Sequence, residues 1–134
     1  MNTKVKRLIA IIISLILAVN FATTVSAVQP RYLFTKSITY KLSFNGTTAN
    51  CSIDIYGSSS VTSITEVNIT LTDSHGNSVG SWNNLSSTEQ DFSFFRSVSN
   101  LTKGEQYTLS FTAKVNTNNS SEPVSGSTSN VCPK

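Results

Sequence analysis

The sequence predicts an all-β domain, a seven-stranded antiparallel sandwich preceded by a short apolar helix. Three observations predict it. Apolar and aromatic residues alternate with polar ones over short runs, which is the period of a half-buried strand. Turn-forming residues such as Asn45 and Gly46 separate the runs. No helical period of apolar residues occurs after residue 27, so the strands are expected to form the whole domain.

The apolar helix has the features of a secretory signal. Lys4, Lys6 and Arg7 come first, an apolar run of 12 residues follows over 8–19, and a stretch of small residues ends at Ala27. A membrane-spanning helix needs about 20 apolar residues, so this run is too short for one. We therefore expect a signal peptide over 1–27, cleavage near Ala27, secretion, and no stable membrane insertion afterwards. An uncleaved membrane anchor is the alternative.

Loss of residues 1–27 changes the charge of the chain. The precursor carries a net charge of +3, whereas residues 28–134 carry seven basic and seven acidic side chains. Because a nucleic-acid partner requires a dense basic face, the neutral balance argues against one. Ser, Thr and Asn make up 46 of these 107 residues. The outward surface is therefore predicted to be rich in hydroxyls and amides rather than in charges.

The alternating runs place the strands along the chain. The predicted strands are 38–44, 49–55, 67–71, 79–82, one that starts at 92–94, 107–115 and 123–131. A hairpin turn at 73–77 joins the third and fourth strands, with Gly76 able to take a positive φ. Two stacked sheets over residues 37–132, after a lead-in at 28–36, bury one face of every strand. A small closed barrel is the alternative.

One segment resembles a known family. Leu101, Gly104 and Tyr107 precede an alternating strand that ends near Ala113, and this segment resembles the E–F corner and F strand of a fibronectin type III domain. The resemblance implies an immunoglobulin/fibronectin III-like sandwich with a tyrosine corner, in which the Tyr107 hydroxyl folds back onto the backbone. The whole layout is similar to small secreted immunoglobulin-like proteins of Gram-positive bacteria. That similarity implies no particular activity.

Two cysteines, Cys51 and Cys132, follow the signal peptide. An even number of cysteines in an exported chain favours a disulfide. Cys51 shares the face of Ile53 and Ile55 and is expected to point inward. A bridge from Cys51 to Cys132 would tie the last strand to the second, with a chain-entropy stabilisation of about 4 kcal/mol. Two free thiols, one of them buried, are the alternative.

Residues suited to catalysis are few. His75 is the only histidine and lies in the predicted turn beside Asp73, with no Gly-x-Ser-x-Gly elbow in the chain. A metal site at Asp73, His75 and Asn77 is one alternative to ordinary turn residues. A glycosidase-type carboxylate pair at Glu89 and Asp91 is another, although such pairs face each other across a cleft. We therefore expect no catalytic residue, no cofactor and no metal.

Three aromatic residues fall outside the core series. If Val79 and Ser81 face inward, Trp82 faces outward, and Tyr56 and Phe95 likewise lie opposite the core residues. Flat rings on a polar sheet stack on sugars or anchor a protein partner, whereas bulges would turn them inward. We expect a monomeric, non-catalytic, secreted module that binds an extracellular protein or glycan through a sheet face or loops, and Tyr56, Trp82 and Phe95 are its candidate binding surface. An extracellular effector or inhibitor is the first alternative, and a secreted hydrolase is the second.

Overall fold

The computed structural model describes residues 31–134, which form seven strands. They are β1 (Thr35–Asn45), β2 (Thr48–Gly57), β3 (Val61–Thr72), β4 (Ser78–Ser87), β5 (Asp91–Val98), β6 (Gln106–Thr117) and β7 (Ser121–Val131). The predicted signal peptide and the first three residues of the lead-in lie outside the described residues. Each predicted run coincides with one strand, so the all-β prediction is confirmed.

The strands divide into two antiparallel sheets. One sheet has the order β1-β2-β5, and the other has the order β4-β3-β6-β7. Each sheet keeps two edge strands, so the structure is the predicted sandwich and not the closed barrel. Within residues 31–134, no helix has the length and apolarity that crossing a membrane requires.

The core consists of the inward faces of both sheets. Ile53 and Ile55 on β2, Ile69 and Leu71 on β3, and Leu109 on β6 are at most 1% exposed. Burial of a side chain of this size stabilises a fold by about 1.5–3 kcal/mol. Since side chains alternate along a strand, a slip of one residue would move a whole set into solvent. The alternation therefore determines the register as well as the presence of the strands.

A bulge in β3 explains why its first half was not predicted. The register of β3 with β6 shifts between Thr65 and Asn68, and its register with β4 shifts on either side of Val67. Glu66, within this stretch, has a φ of 51°. Asn84, on β4, has a φ of 54°. The Asn68 side chain holds both of these positions: its Nδ2 donates to the Glu66 carbonyl at 3.0 Å, and its Oδ1 accepts from the Asn84 N–H at 2.9 Å. The bulge interrupts the alternation of buried residues that the sequence displays elsewhere.

The lead-in is part of the packed domain. β1 begins at Thr35, two residues before the predicted boundary, and the side chains of Tyr32 and Phe34 pack against the core. The carboxylate of Glu122 on β7 accepts the backbone N–H groups of Leu33, Phe34 and Thr35. These contacts fasten the segment before β1 to the last strand.

The expected disulfide is not present. Cys51 and Cys132 are both free thiols, and both are fully buried. Cys51 lies opposite Leu42 in the β1–β2 ladder, whereas the Cys132 sulfur lies 3.7 Å from the carbonyl oxygen of Gly46 in the β1–β2 turn. Leu42 lies within β1, whereas Gly46 lies in the turn that follows β1. The sequence indicates which face Cys51 occupies, but it does not indicate where the C-terminal cysteine docks.

Candidate functional site

Two exposed rings lie on the outer side of the three-stranded sheet. Phe95 on β5 is 59% exposed and Tyr56 on β2 is 43% exposed. Phe95 pairs with Ser52 and Tyr56 pairs with Asp91, out of phase with the buried Ile55. Both rings therefore point away from the core. We call the outer side of β1-β2-β5 around Tyr56 and Phe95 the aromatic face.

Polar residues separate the two rings on the aromatic face. Asp54 pairs with Ser93 in the row between them. From Ser52, which lies beside Phe95, to Tyr56 the strand runs four residues, roughly 13 Å. The aromatic face thus presents two flat apolar rings with a carboxylate and hydroxyls between them.

Trp82 does not belong to this face, contrary to the expectation from alternation. It is half-buried, packs against the core, and meets the Phe94 ring edge-on at 5.1 Å between ring centroids. The reason is a register shift in the β3–β4 ladder, after which Trp82 pairs with the core residue Ile69. A β-carbon on Gly80 would lie 2.7 Å from the Trp82 ring, so only glycine leaves room for the ring there.

The edge beside the aromatic face is partly blocked. β5 is an edge strand, and the Arg96 guanidinium donates to the carbonyl oxygen of Phe95 at 2.8 Å. The same guanidinium lies 5.6 Å from the centre of the Phe94 ring. The Arg96 side chain therefore covers one backbone acceptor on β5.

The outer side of the four-stranded sheet holds an open depression of about 400 Å³. It lies between β3, β6 and β7, and its polar lining includes Asn68, Thr112 and Ser125. The Lys114 ammonium and the Glu66 carboxylate pair at its rim at 2.9 Å. Its lining includes Glu66, at the bulge of β3, and the alternation of residues in the sequence does not predict a bulge there.

The β3–β4 turn contains the residues considered for a metal site. Asp73 Oδ1 accepts the backbone N–H groups of His75 and Asn77, both at 2.9 Å. These hydrogen bonds lower the pKa of the Asp73 carboxyl below its usual value, and the one from the Asn77 backbone has the largest effect. Asn77 therefore supports the turn by donating to Asp73. The third side chain that lies near Asp73 and His75 is Glu105, from the β5–β6 loop. Because Glu105 is 30 residues from His75 in the chain, the sequence does not predict their proximity.

These residues do not have the geometry of a serine hydrolase. Ser74 Oγ lies 3.4 Å from His75 Nδ1, and Glu105 Oε1 lies 3.5 Å from the same nitrogen. A catalytic relay requires the serine on one ring nitrogen and the acid on the other. Glu89 and Asp91, the other carboxylates considered, are two residues apart in the chain, in the β4–β5 connection and at the start of β5.

Tyr107 connects β6 to the loop before it. Its ring is 2% exposed and packs against Phe44 at 5.9 Å between centroids. The hydroxyl oxygen accepts the backbone N–H of Thr102 at 2.9 Å, and the hydroxyl donates to Glu105 Oε2 at 3.3 Å. Tyr107 therefore positions both the loop backbone and the Glu105 carboxylate.

Comparisons with known proteins add little to these observations. No protein-family model matches the chain, and no curated protein matches it. Among solved structures, the apo structure of Bacteroides uniformis beta-glucuronidase 3 is similar over 69% of this chain and 12% of its own chain, at 15% identity and a TM-score of 0.45. The chain therefore spans about an eighth of the length of that protein.

Proposed function

We propose that the protein is a secreted, non-catalytic binding module that holds an extracellular glycan on the aromatic face. The observation that carries this proposal is the exposure of Tyr56 and Phe95 on the same side of one sheet. Rings of this size bury a large apolar area when they are covered by a ligand. The polar groups around them would orient the ligand, as the few polar groups in ligand sites do.

The spacing of the rings favours a glycan over a protein as the partner. The centre of a protein interface is desolvated and packed, with charged residues depleted. Here Asp54 and Ser93 separate the rings, so a flat protein surface would bury a carboxylate between them. A glycan offers both an apolar ring face for stacking and hydroxyls that donate to a carboxylate. A protein partner, as for an effector or inhibitor, is the second candidate.

The proposal includes the fold type and the compartment. We place the domain with fibronectin III-like sandwiches, and with the small secreted proteins of that kind from Gram-positive bacteria. The strand order supports this placement because β4 pairs with β3, whereas in constant-type immunoglobulin domains the fourth strand lies on the opposite sheet. The hydrogen bond between Tyr107 and Thr102 also supports it. The order of charges and apolar residues over 1–27 supports secretion.

Affinity electrophoresis through gels that contain dissolved polysaccharides tests the glycan proposal. At least one cell-surface polysaccharide should retard the protein, and Phe95→Ala and Tyr56→Ala should each reduce the retardation. Val131→Ala is the matched control, because Val131 is 51% exposed but belongs to β7 of the other sheet. Equal retardation of all three variants, or none with any polysaccharide, would contradict the proposal. Capture of a single soluble protein on the same face would favour the second candidate.

N-terminal sequencing of the protein from culture medium tests secretion separately. The proposal predicts a mature chain that starts at Val28. Recovery of the intact chain from the membrane fraction would instead support an uncleaved anchor.

A further inference from the structure

We propose that Asp73, His75 and Glu105 form a binding site for a divalent cation of the zinc type. The three side chains come from two connections, the β3–β4 turn and the β5–β6 loop, at one end of the sandwich. Their ligand atoms all lie within 4.8 Å of one another. This site lies apart from the aromatic face and does not depend on the function proposed for it.

The donor set indicates the class of metal. One imidazole nitrogen and two carboxylate oxygens are ligands that zinc accepts, whereas magnesium and calcium are bound by oxygens alone. Ligand atoms at 2.0–2.2 Å from a tetrahedral zinc lie about 3.3–3.5 Å apart. The separation of His75 Nδ1 and Glu105 Oε1, 3.5 Å, already has that value. The wider separations within the group would close by about 1 Å, which a turn side chain such as His75, 78% exposed, can accommodate.

Glu105 is held in place by groups that are not ligands. Its side chain is only 18% exposed. The Ser74 hydroxyl donates to Oε1 at 2.9 Å, and the Tyr107 hydroxyl donates to Oε2 at 3.3 Å. The Glu105 backbone carbonyl accepts the Cys132 N–H at 2.9 Å. Hydrogen bonds of this kind orient ligating carboxylates in metal sites; here one comes from Ser74 in the turn and the other from the buried Tyr107.

Asp73 supplies the second carboxylate. Its Oδ1 accepts the backbone N–H groups of Asn77 and His75, which hold the side chain in the turn. Its Oδ2 has only the longer contact with Asn77 Nδ2, at 3.4 Å. Oδ2 is therefore the oxygen that can turn toward a cation. With three protein ligands, the ion would keep an open position for water or for a group on a partner.

Isothermal titration with zinc chloride tests the site directly. The protein must carry no polyhistidine tag, because His75 is its only histidine. We expect one saturable ion per chain, with affinity lowered about tenfold or more in His75→Ala and in Glu105→Gln. Glu89→Gln is the control, since Glu89 is an exposed carboxylate in the β4–β5 connection, and it should bind as the unchanged protein does.

A second measurement separates a lost ligand from a lost fold. Because His75 is largely exposed, its replacement should leave the unfolding midpoint without zinc unchanged. Zinc should raise the midpoint of the unchanged protein more than that of His75→Ala, and it should shift the imidazole NMR signals of His75. Absence of saturable binding, equal affinity in His75→Ala, or unshifted imidazole signals would each overturn the proposal.

Discussion

The carboxylate of Glu122 binds Thr35 twice. Its Oε2 accepts the Thr35 backbone N–H at 3.2 Å and the Thr35 hydroxyl at 2.9 Å, across 87 residues of sequence. Both residues are 9% exposed. The same oxygen accepts the Phe34 N–H at 3.2 Å, so one buried carboxylate fastens the start of β1 to β7.

Removal of this carboxylate should loosen the lead-in. Glu122→Ala leaves the N–H groups of Phe34 and Thr35 without their acceptor in a mostly buried place, which we expect to lower the free energy of unfolding by about 2–3 kcal/mol. Urea unfolding measures the change. Glu89→Ala, which removes an exposed carboxylate, should stay within about 0.5 kcal/mol. Equal effects of the two variants would show that Glu122 does not hold the lead-in.

The Tyr107 hydroxyl should contribute to stability through the loop before β6. Tyr107→Phe keeps the buried ring but removes the acceptor of the Thr102 N–H, so a loss of about 1–2 kcal/mol is expected in the same unfolding measurement. Tyr56→Phe removes an exposed hydroxyl and should be nearly neutral. A neutral Tyr107→Phe would mean that water replaces the hydroxyl.

The buried cysteines should behave as protected thiols. Cys51 and Cys132 are fully buried and unbonded, so a thiol reagent should react slowly with the folded protein. Unfolding in denaturant without reductant should expose two reactive thiols per chain. If the unfolded, unreduced chain shows none, the two cysteines form a bridge after all.

Burial should also make stability depend on alkaline pH. It raises the pKa of the Cys51 thiol from 9.0 to about 11. Between these values the unfolded chain has released the proton and the folded chain still binds it, so stability present below pH 9 falls as pH rises. The expected loss is about 2–3 kcal/mol by pH 11. Cys51→Ala should lack this component, and an identical pH slope in the two proteins would contradict the account.

The alternation of side chains was enough to predict most of the fold. Ile53 and Ile55 on β2 have the buried positions that their spacing indicates, and Tyr56 has the outward one. The predictions that are wrong or incomplete fall where this two-residue alternation is interrupted. The bulge at Glu66 concealed the first half of β3, and the register shift in the β3–β4 ladder turned Trp82 inward.

Contacts between residues that are far apart in the chain could not be predicted from the sequence either. Nothing in the sequence around His75 indicates that Glu105 lies 3.5 Å away, since the contact depends on how β3, β4 and β6 are arranged in one sheet. The docking of Cys132 near Gly46 depends equally on the path of the C-terminus. A pattern with a period of two residues specifies faces, but it does not specify which loops meet.

NMR shift mapping with a fragment of a retained polysaccharide tests the central claim most directly. If the aromatic face binds the glycan, the amide signals of Ser52, Asp54 and Ser93 should shift, because these residues lie beside or between the two rings. The signals of Asn68 and Thr112, in the depression on the other sheet, should stay in place. Shifts confined to Asn68 and Thr112 would place binding on the opposite side of the sandwich and contradict the account.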